Sequence, residues 1–211
     1  MTKVLIVDDH PIVRRGLKEV LREEASFSIA ESANAVEALH AIKREEFDLV
    51  IVDIDLPGMN GLELLKEIKR HNKNLPVLIL SVYPEDQIAV RALKAGASGF
   101  VSKEAAPDQL VIAIRKILSG GKHISERVAD LLLTYFEASP DKGLHEKLSD
   151  REFQILCMFG EGKTIKQIAE ELSLSAPTVS TYRARILNKM EMRTTAELVR
   201  YAIENRISGP K

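Results

Sequence analysis

Apolar residues in this chain fall into two kinds of run. Short unbroken ones, "KVLIV", "LVIV" and "PVLIL", alternate with longer stretches in which apolar positions return every three or four residues. The first kind reads as strands covered on both faces, the second as amphipathic helices. "FSIAESA" and "GFVSK" are weaker strands of the same series. Between them "PIVRRGLKEVLREE", "AVEALHAIKREE", "GLELLKEIKRHN", "DQIAVRALKAG" and "PDQLVIAIRKILSGG" read as helices. Pro11 and Pro107 open two of them, where a missing N–H costs little, and Gly96 closes a third. Five strands alternating with five helices predict an α/β domain with a doubly wound five-stranded parallel sheet over residues 1–121.

After Gly121 the pattern changes. "SERVADLLLTYFEA" is one amphipathic helix, and "SPDKGLHEK" has the Pro, Gly and charges of an exposed linker. Residues 122–147 are therefore expected to join the sheet domain to something else. From 148 to 211 no strand signal occurs, only short helices that predict a small all-α domain. "SDREFQILCMFGEG" opens with Ser149 as N-cap and Glu152 at capping-box spacing. "TIKQIAEEL", the turn "SLS", "APTVSTYRARILNKM" and "RTTAELVRYAIENR" follow.

Composition narrows the classes. Hydrophobic content of 45% and charged content of 29% suit a water-soluble globular protein. No apolar run approaches the roughly 20 residues that span a bilayer, so no membrane association is expected. The single cysteine, Cys157, excludes an internal disulfide and suits a reducing cytoplasm. Its neighbours "FQILCMF" place it in a core. The net charge of −1 divides as +2 over residues 148–211 and −3 over the rest, too mild a contrast to imply nucleic acid by itself.

The strand ends carry the chemistry. "DLVIVDIDLPGMNG" ends a buried strand on Asp53, with Asp55 two residues on. Ligands of open parallel sheets sit beyond the carboxyl ends of the strands. There the alternation also delivers Asp8 and Asp9 from the first strand, Ser81 from the fourth and Lys103 from the fifth. Three clustered carboxylates repel unless a cation joins them, and hard oxygen donors favour Mg²⁺. A divalent ion, a hydroxyl and an ammonium around one carboxylate make a site that can hold a phosphoryl group. Asp53 would attack phosphorus, Mg²⁺ and Lys103 would neutralise the developing charge, and Ser81 would hydrogen-bond a phosphoryl oxygen.

"VLIVDDHPIVRRGL", "VDIDLPGMNGLELL", "LILSVYPED" and "GASGFVSKEA" resemble the receiver domain of bacterial two-component response regulators, a flavodoxin-like fold. The resemblance implies that Asp53 is the phosphoacceptor, that Asp9 and Asp53 bind Mg²⁺ with the backbone carbonyl of Asp55, and that Asp8 holds a metal-bound water. It also implies that Ser81 and Phe100 form a switch pair. Glu104 follows the lysine where receivers often have Pro. A competing reading takes Asp-x-Asp as the nucleophile motif of haloacid-dehalogenase-like phosphatases. That motif normally ends the first strand and continues into Thr or Val, whereas here it ends the third and continues into Leu56-Pro57.

"LSDREFQIL", "GEGKTIKQIAEELSLSAPTVSTYRARILNKM" and "AELVRYAI" resemble the LuxR-type helix-turn-helix domain of the NarL/FixJ branch of response regulators. Within "PTVSTYRARILNKMEMR", Arg183, Arg185, Lys189 and Arg193 oppose one acid, Glu191. Val179, Ile186 and Met190 form an apolar stripe that leaves a basic face for a DNA groove. Ser175 caps this helix and Pro177 sits just inside it. By family position Ser180, Thr181 and Ala184 look into the major groove, and Thr178 joins the DNA-contacting set. Arg183, Arg185 and Lys189 are candidates for phosphate. Related sequences commonly carry Lys where this one has Ser180. On the last helix Leu198, Val199, Ala202 and Ile203 belong to a core or a dimer face, with Val199 and Ile203 assigned to the dimer face.

The chain thus reads as a cytoplasmic transcriptional regulator, not an enzyme, with a sensor histidine kinase as phosphodonor. Its expected partners are double-stranded promoter DNA with two-fold symmetric half-sites and, on activation, a second copy of itself. A DNA-binding protein with a vestigial receiver is a further alternative, opposed by the intact Asp9, Asp53, Ser81 and Lys103. The five histidines lie on different elements without ligand spacing, so none is expected in a site.

Overall fold

β1 (Thr2–Val7), β2 (Phe27–Ser32), β3 (Leu49–Asp53), β4 (Val77–Ser81) and β5 (Gly99–Ser102) form one parallel sheet in the order β2-β1-β3-β4-β5. Every residue of β3 and β4 is buried, which is why their sequences do not alternate. The computed structural model describes residues 1–22, 27–82, 85–103, 107–137, 143–205 and 207. Glu104 and residues 138–142 of the expected linker lie outside them.

Helices α1 (Pro11–Arg22) and α5 (Pro107–Leu118) touch one another and cover one face of the sheet. There Val4, Ile6, Leu49, Ile51, Leu78, Leu80 and Val101 meet Leu21, Leu110, Ala113, Ile114 and Ile117. α2 (Ala35–Arg44), α3 (Gly61–His71) and α4 (Glu85–Lys94) pack in series with one another and against the sheet. The alternate strand residues, Leu5, Val50, Val52, Val77, Ile79 and Phe100, are turned to the opposite face and are equally buried. Each such Leu or Ile contributes about 1.5–3 kcal/mol of burial free energy, so the register is strongly determined.

The chain divides into two compact units, Met1–Leu131 and Leu132–Lys211, the division falling within α6 (Glu126–Glu137). Before α6, His123 adds a parallel bridge to Gly99 at the free edge of β5, and Phe100 N–H donates to the His123 carbonyl at 3.1 Å. A side chain at Gly99 would meet that carbonyl at 2.9 Å.

In the second unit α7 (Asp150–Gly160) is buried from Arg151 through Phe159, with Cys157 among them. α8 (Ile165–Glu171), α9 (Ala176–Lys189) and α10 (Thr195–Glu204) complete a four-helix arrangement. The capping box of Ser149 and Glu152 forms as the spacing predicts, and Ser175 caps α9 by accepting from Thr178 N–H. One part of the expected linker is structured. Leu144–Lys147 is a 3-10 turn, where His145 Nδ1 lies 2.9 Å from the Tyr201 hydroxyl on α10. A ring that meets both Phe153 and Tyr201 supplies the apolar contact that the charge content of "GLHEK" concealed.

Candidate functional site

The strand order reverses between β1 and β3, and the carboxyl ends of those two strands form the crevice where such sheets bind ligands. Asp8 and Asp9 leave β1 there, and Asp53 is the last residue of β3. The peptide around Asp53 is held by Ile54 N–H donating to the Leu80 carbonyl at 3.2 Å and by Gly61 N–H donating to the Ile54 carbonyl at 2.9 Å. Asn60 caps α3 in a reciprocal box with Glu63 and so starts the helix beside the strand end. Approach is closest at Gly61, where a Cβ would lie 2.1 Å from the Asp53 carbonyl oxygen. Only glycine fits. The "NG" of the loop is therefore part of what sets the acid.

Lys103 follows β5, and its N–H donates to the Ser81 carbonyl at 2.8 Å. Its Nζ lies 2.6 Å from Asp53 Oδ2 and 2.8 Å from Asp8 Oδ2. Both are ion pairs, and Asp53 Oδ1 is buried with no hydrogen-bond partner among the described residues. Burial pushes the Asp53 carboxyl up to about 7, with Asp8 and Asp55 adding to the rise and Lys103 opposing it. Lys103 has the converse balance: burial pulls its ammonium down, but Asp53 and Asp8 outweigh it and the net shift is upward. One donor atom each from Asp8, Asp9, His10 and Asp53 lie within 4.8 Å of one another, a group that could hold a metal ion. An unpartnered buried oxygen among three carboxylates fits a cation.

Among the expected residues, Asp8, Asp9, Asp53 and Lys103 are thus brought together. Ser81 is fully buried at the end of β4, and Asp55 is half-buried in the loop after β3. Phe100, paired in register with Ile79, is 2% exposed, so the phenyl ring is already inside. His10 was legible only as an isolated histidine, although its place directly after two acids was the available signal. The structure brings its Nδ1 within 2.8 Å of Asp9 Oδ1.

In the second unit the exposed stripe of α9 runs through Ser180, Thr181, Ala184 and Arg185, while Val179, Ile186 and Met190 are buried. Thr178 is half-buried and bonded to the cap, with its Oγ1 2.7 Å from Ser175 Oγ. Arg185 stands over the Tyr182 ring at 5.8 Å. Two of the three cations assigned to phosphate have partners inside the protein. Arg183 Nε donates to Thr195 Oγ1 at 2.6 Å, and Lys189 Nζ lies 2.6 Å from Glu152 Oε2. Lys189 is thereby a strut between α9 and α7. On α10, Leu198 and Ala202 are core, Val199 is half-buried and Ile203 is 57% exposed. Among the described residues no helix is long and apolar enough to cross a membrane.

These two sites, on these two folds, define a receiver joined to a helix-turn-helix. Residues 4–115 match the family described as response regulator receiver domain, and residues 146–202 match the bacterial regulatory proteins of the luxR family. The response regulator UvrY of Escherichia coli (strain K12) is 33% identical over 207 residues, covering 97% of this chain and 95% of that protein. The response regulator GacA of Pseudomonas aeruginosa is also 33% identical, covering 97% of each. Among solved structures, RcsB of Salmonella typhimurium aligns with a TM-score of 0.62 at 27% identity, covering 96% of this chain and all of that one. An RcsB–DNA complex aligns at 0.58, with 27% identity and coverage of 96% and 98%. The chain belongs to the NarL/FixJ family of two-component response regulators. It is a phosphorylation-dependent, DNA-binding regulator of transcription.

Proposed function

We propose that residues 1–121 accept phosphate on Asp53 from a sensor histidine kinase and that residues 148–211 carry the DNA contacts. The observation that carries the first assignment is Asp53 itself, buried at the switch point with one oxygen unpartnered and the other beside Lys103. Asp53 would attack phosphorus through one carboxylate oxygen and keep the other for the metal. Lys103 also stands ready to receive charge from the phosphoryl oxygens, and the Ser81 hydroxyl would bond one of them. Mg²⁺, when bound, would supply a further positive charge at the same oxygens. Asp9 and Asp53 would hold it directly with the Asp55 carbonyl, and Asp8 through water.

Ser81 and Phe100, the proposed switch pair, are both buried. A phosphoryl group on Asp53 would draw the Ser81 hydroxyl toward it, with Phe100 filling the space vacated. On α9 the proposed base-reading residues are Ser180, Thr181 and Ala184, with Thr178 near the cap. Arg185 is the phosphate contact of choice, and Arg183 and Lys189 would reach phosphate with the donors that Thr195 and Glu152 leave unused. Val199 and Ile203 are proposed as the dimer face. Linking two weak helix-turn-helix units raises affinity through effective concentration, and a two-fold operator with half-sites about one turn apart follows.

The test uses acetyl phosphate with Mg²⁺. Asp53→Asn should abolish labelling and Asp55→Asn should preserve it. Phosphorylated wild type should sediment as a dimer and bind promoter DNA more tightly than the unphosphorylated chain. Equal DNA affinity and an unchanged oligomeric state in the two forms would remove the proposed coupling.

A further inference from the structure

His10 has no part in the phosphoryl chemistry proposed above, yet the backbone folds it over the acids. Its own N–H donates to Asp8 Oδ1 at 2.7 Å, which turns the chain at the end of β1 and carries the imidazole back across the strand end. Nδ1 then lies 2.8 Å from Asp9 Oδ1 and 3.3 Å from Asp8 Oδ1. The four donor atoms of Asp8, Asp9, His10 and Asp53 fall within 4.8 Å of one another. Two ligands of a common small dication, each at about 2.0–2.2 Å, are at most about 4.4 Å apart, so a slight closure of this group suffices. Within the group the Asp53 side chain is fully buried, and neither of its carboxylate oxygens has a hydrogen-bond partner among the described residues. The arrangement offers one nitrogen and three carboxylates.

We propose that His10 is a nitrogen ligand of this site and makes it bind first-row transition dications more tightly than Mg²⁺. The proposal rests on the reading of the acidic cluster as the metal site. Mg²⁺ takes oxygen donors and gains little from imidazole, whereas affinity for a nitrogen donor rises from Mn²⁺ through Co²⁺ to Ni²⁺. His10 can play this part because its side chain, 60% exposed at a strand end, is open to an entering ion. The Asp9 carboxylate, 29% exposed, lies on the same open side.

The experiment uses the full chain without an affinity tag. Mn²⁺-loaded wild type is examined by electron spin-echo envelope modulation, and Co²⁺ and Mg²⁺ affinities are measured by calorimetry for wild type, His10→Gln, His10→Asn and Asp53→Asn. Nitrogen modulation is expected in wild type and its loss in both His10 variants. Their Co²⁺ affinity should fall about tenfold or more, and their Mg²⁺ affinity by less than about threefold. Circular dichroism checks that the variants fold, which the exposure of the side chain favours. Bound Mn²⁺ without nitrogen modulation, or equal losses for Co²⁺ and Mg²⁺, overturns the role of His10 alone. If Asp53→Asn leaves every affinity unchanged, the metal site itself is elsewhere, and both readings fall.

Discussion

Lys189 Nζ meets Glu152 Oε2 at 2.6 Å, and the same oxygen accepts the Ser149 N–H at 2.7 Å. One carboxylate therefore caps α7 and anchors the C-terminal end of α9, 37 residues away in sequence. The Glu152 side chain is only 4% exposed, so its charge depends on those partners. Burial would raise its carboxyl, but Lys189 and the Ser149 N–H prevail and hold it below the ordinary 4.5. A lowered carboxyl stabilises the fold above 4.5, and that contribution is lost as pH falls through the folded value.

Lys189→Gln should destabilise the second unit by about 1–3 kcal/mol, since a buried carboxylate loses its counter-charge. Denaturant titration of the chain reads this directly. DNA affinity should fall with the slope against log salt unchanged. A slope reduced by about 1 would instead make Lys189 a phosphate contact.

Asp53 titrates in the opposite sense. Its folded value of about 7 stands above its ordinary 3.8, so the native state holds a proton that the unfolded chain releases. In chelator, stability should fall as pH rises from about 4 to 7 and level off beyond. Asp53→Asn should remove that slope and melt above wild type at pH 7.5, the two converging toward pH 4. Differential scanning calorimetry decides it, and parallel curves for the two proteins would mean that the buried acid is not strained.

Gly61→Ala places a methyl 2.1 Å from the Asp53 carbonyl, against backbone that cannot retreat without moving β3 or α3. A loss of about 1–3 kcal/mol is expected, as for an overpacked core. Labelling by acetyl phosphate should drop with it, because the peptide that moves carries Asp53. Unaltered stability and labelling would show that the strand end is more plastic than its hydrogen bonds suggest.

Ser180 and Thr181 occupy the exposed stripe of α9, and the Thr181 hydroxyl is already bonded to the Pro177 carbonyl at 3.0 Å. The Thr181 methyl and the acceptor side of its hydroxyl are therefore left to meet a base. Thr181→Ala should change the preferred sequence at one position of each half-site, by about 1–3 kcal/mol in discrimination. Ser180→Lys should tighten binding to all sequences and steepen the salt slope by about 1. Selection from a random DNA library, with affinities at two salt concentrations, separates the two behaviours.

Much of this protein was legible along the chain. Unbroken apolar runs alternating with amphipathic stretches determined a parallel sheet, and a parallel sheet puts all its strand carboxyl ends on one edge. That topological fact is why Asp8, Asp53, Ser81 and Lys103, scattered over about a hundred residues, were assigned to one place. Caps such as Ser149 with Glu152, and Ser175 ahead of α9, were equally readable because their partners lie three residues apart.

Tertiary structure alone decided what depends on distance across the chain. It turned His10 onto the acids, left Asp53 Oδ1 without a hydrogen-bond partner among the described residues, and buried both Phe100 and Ser81. It also gave Arg183 and Lys189 partners in Thr195 and Glu152, and joined Leu144–Lys147 to α10 through Tyr201. Residue type states what a side chain can donate or accept. Which partner it finds is settled by packing between elements, and local periodicity carries no information about that geometry.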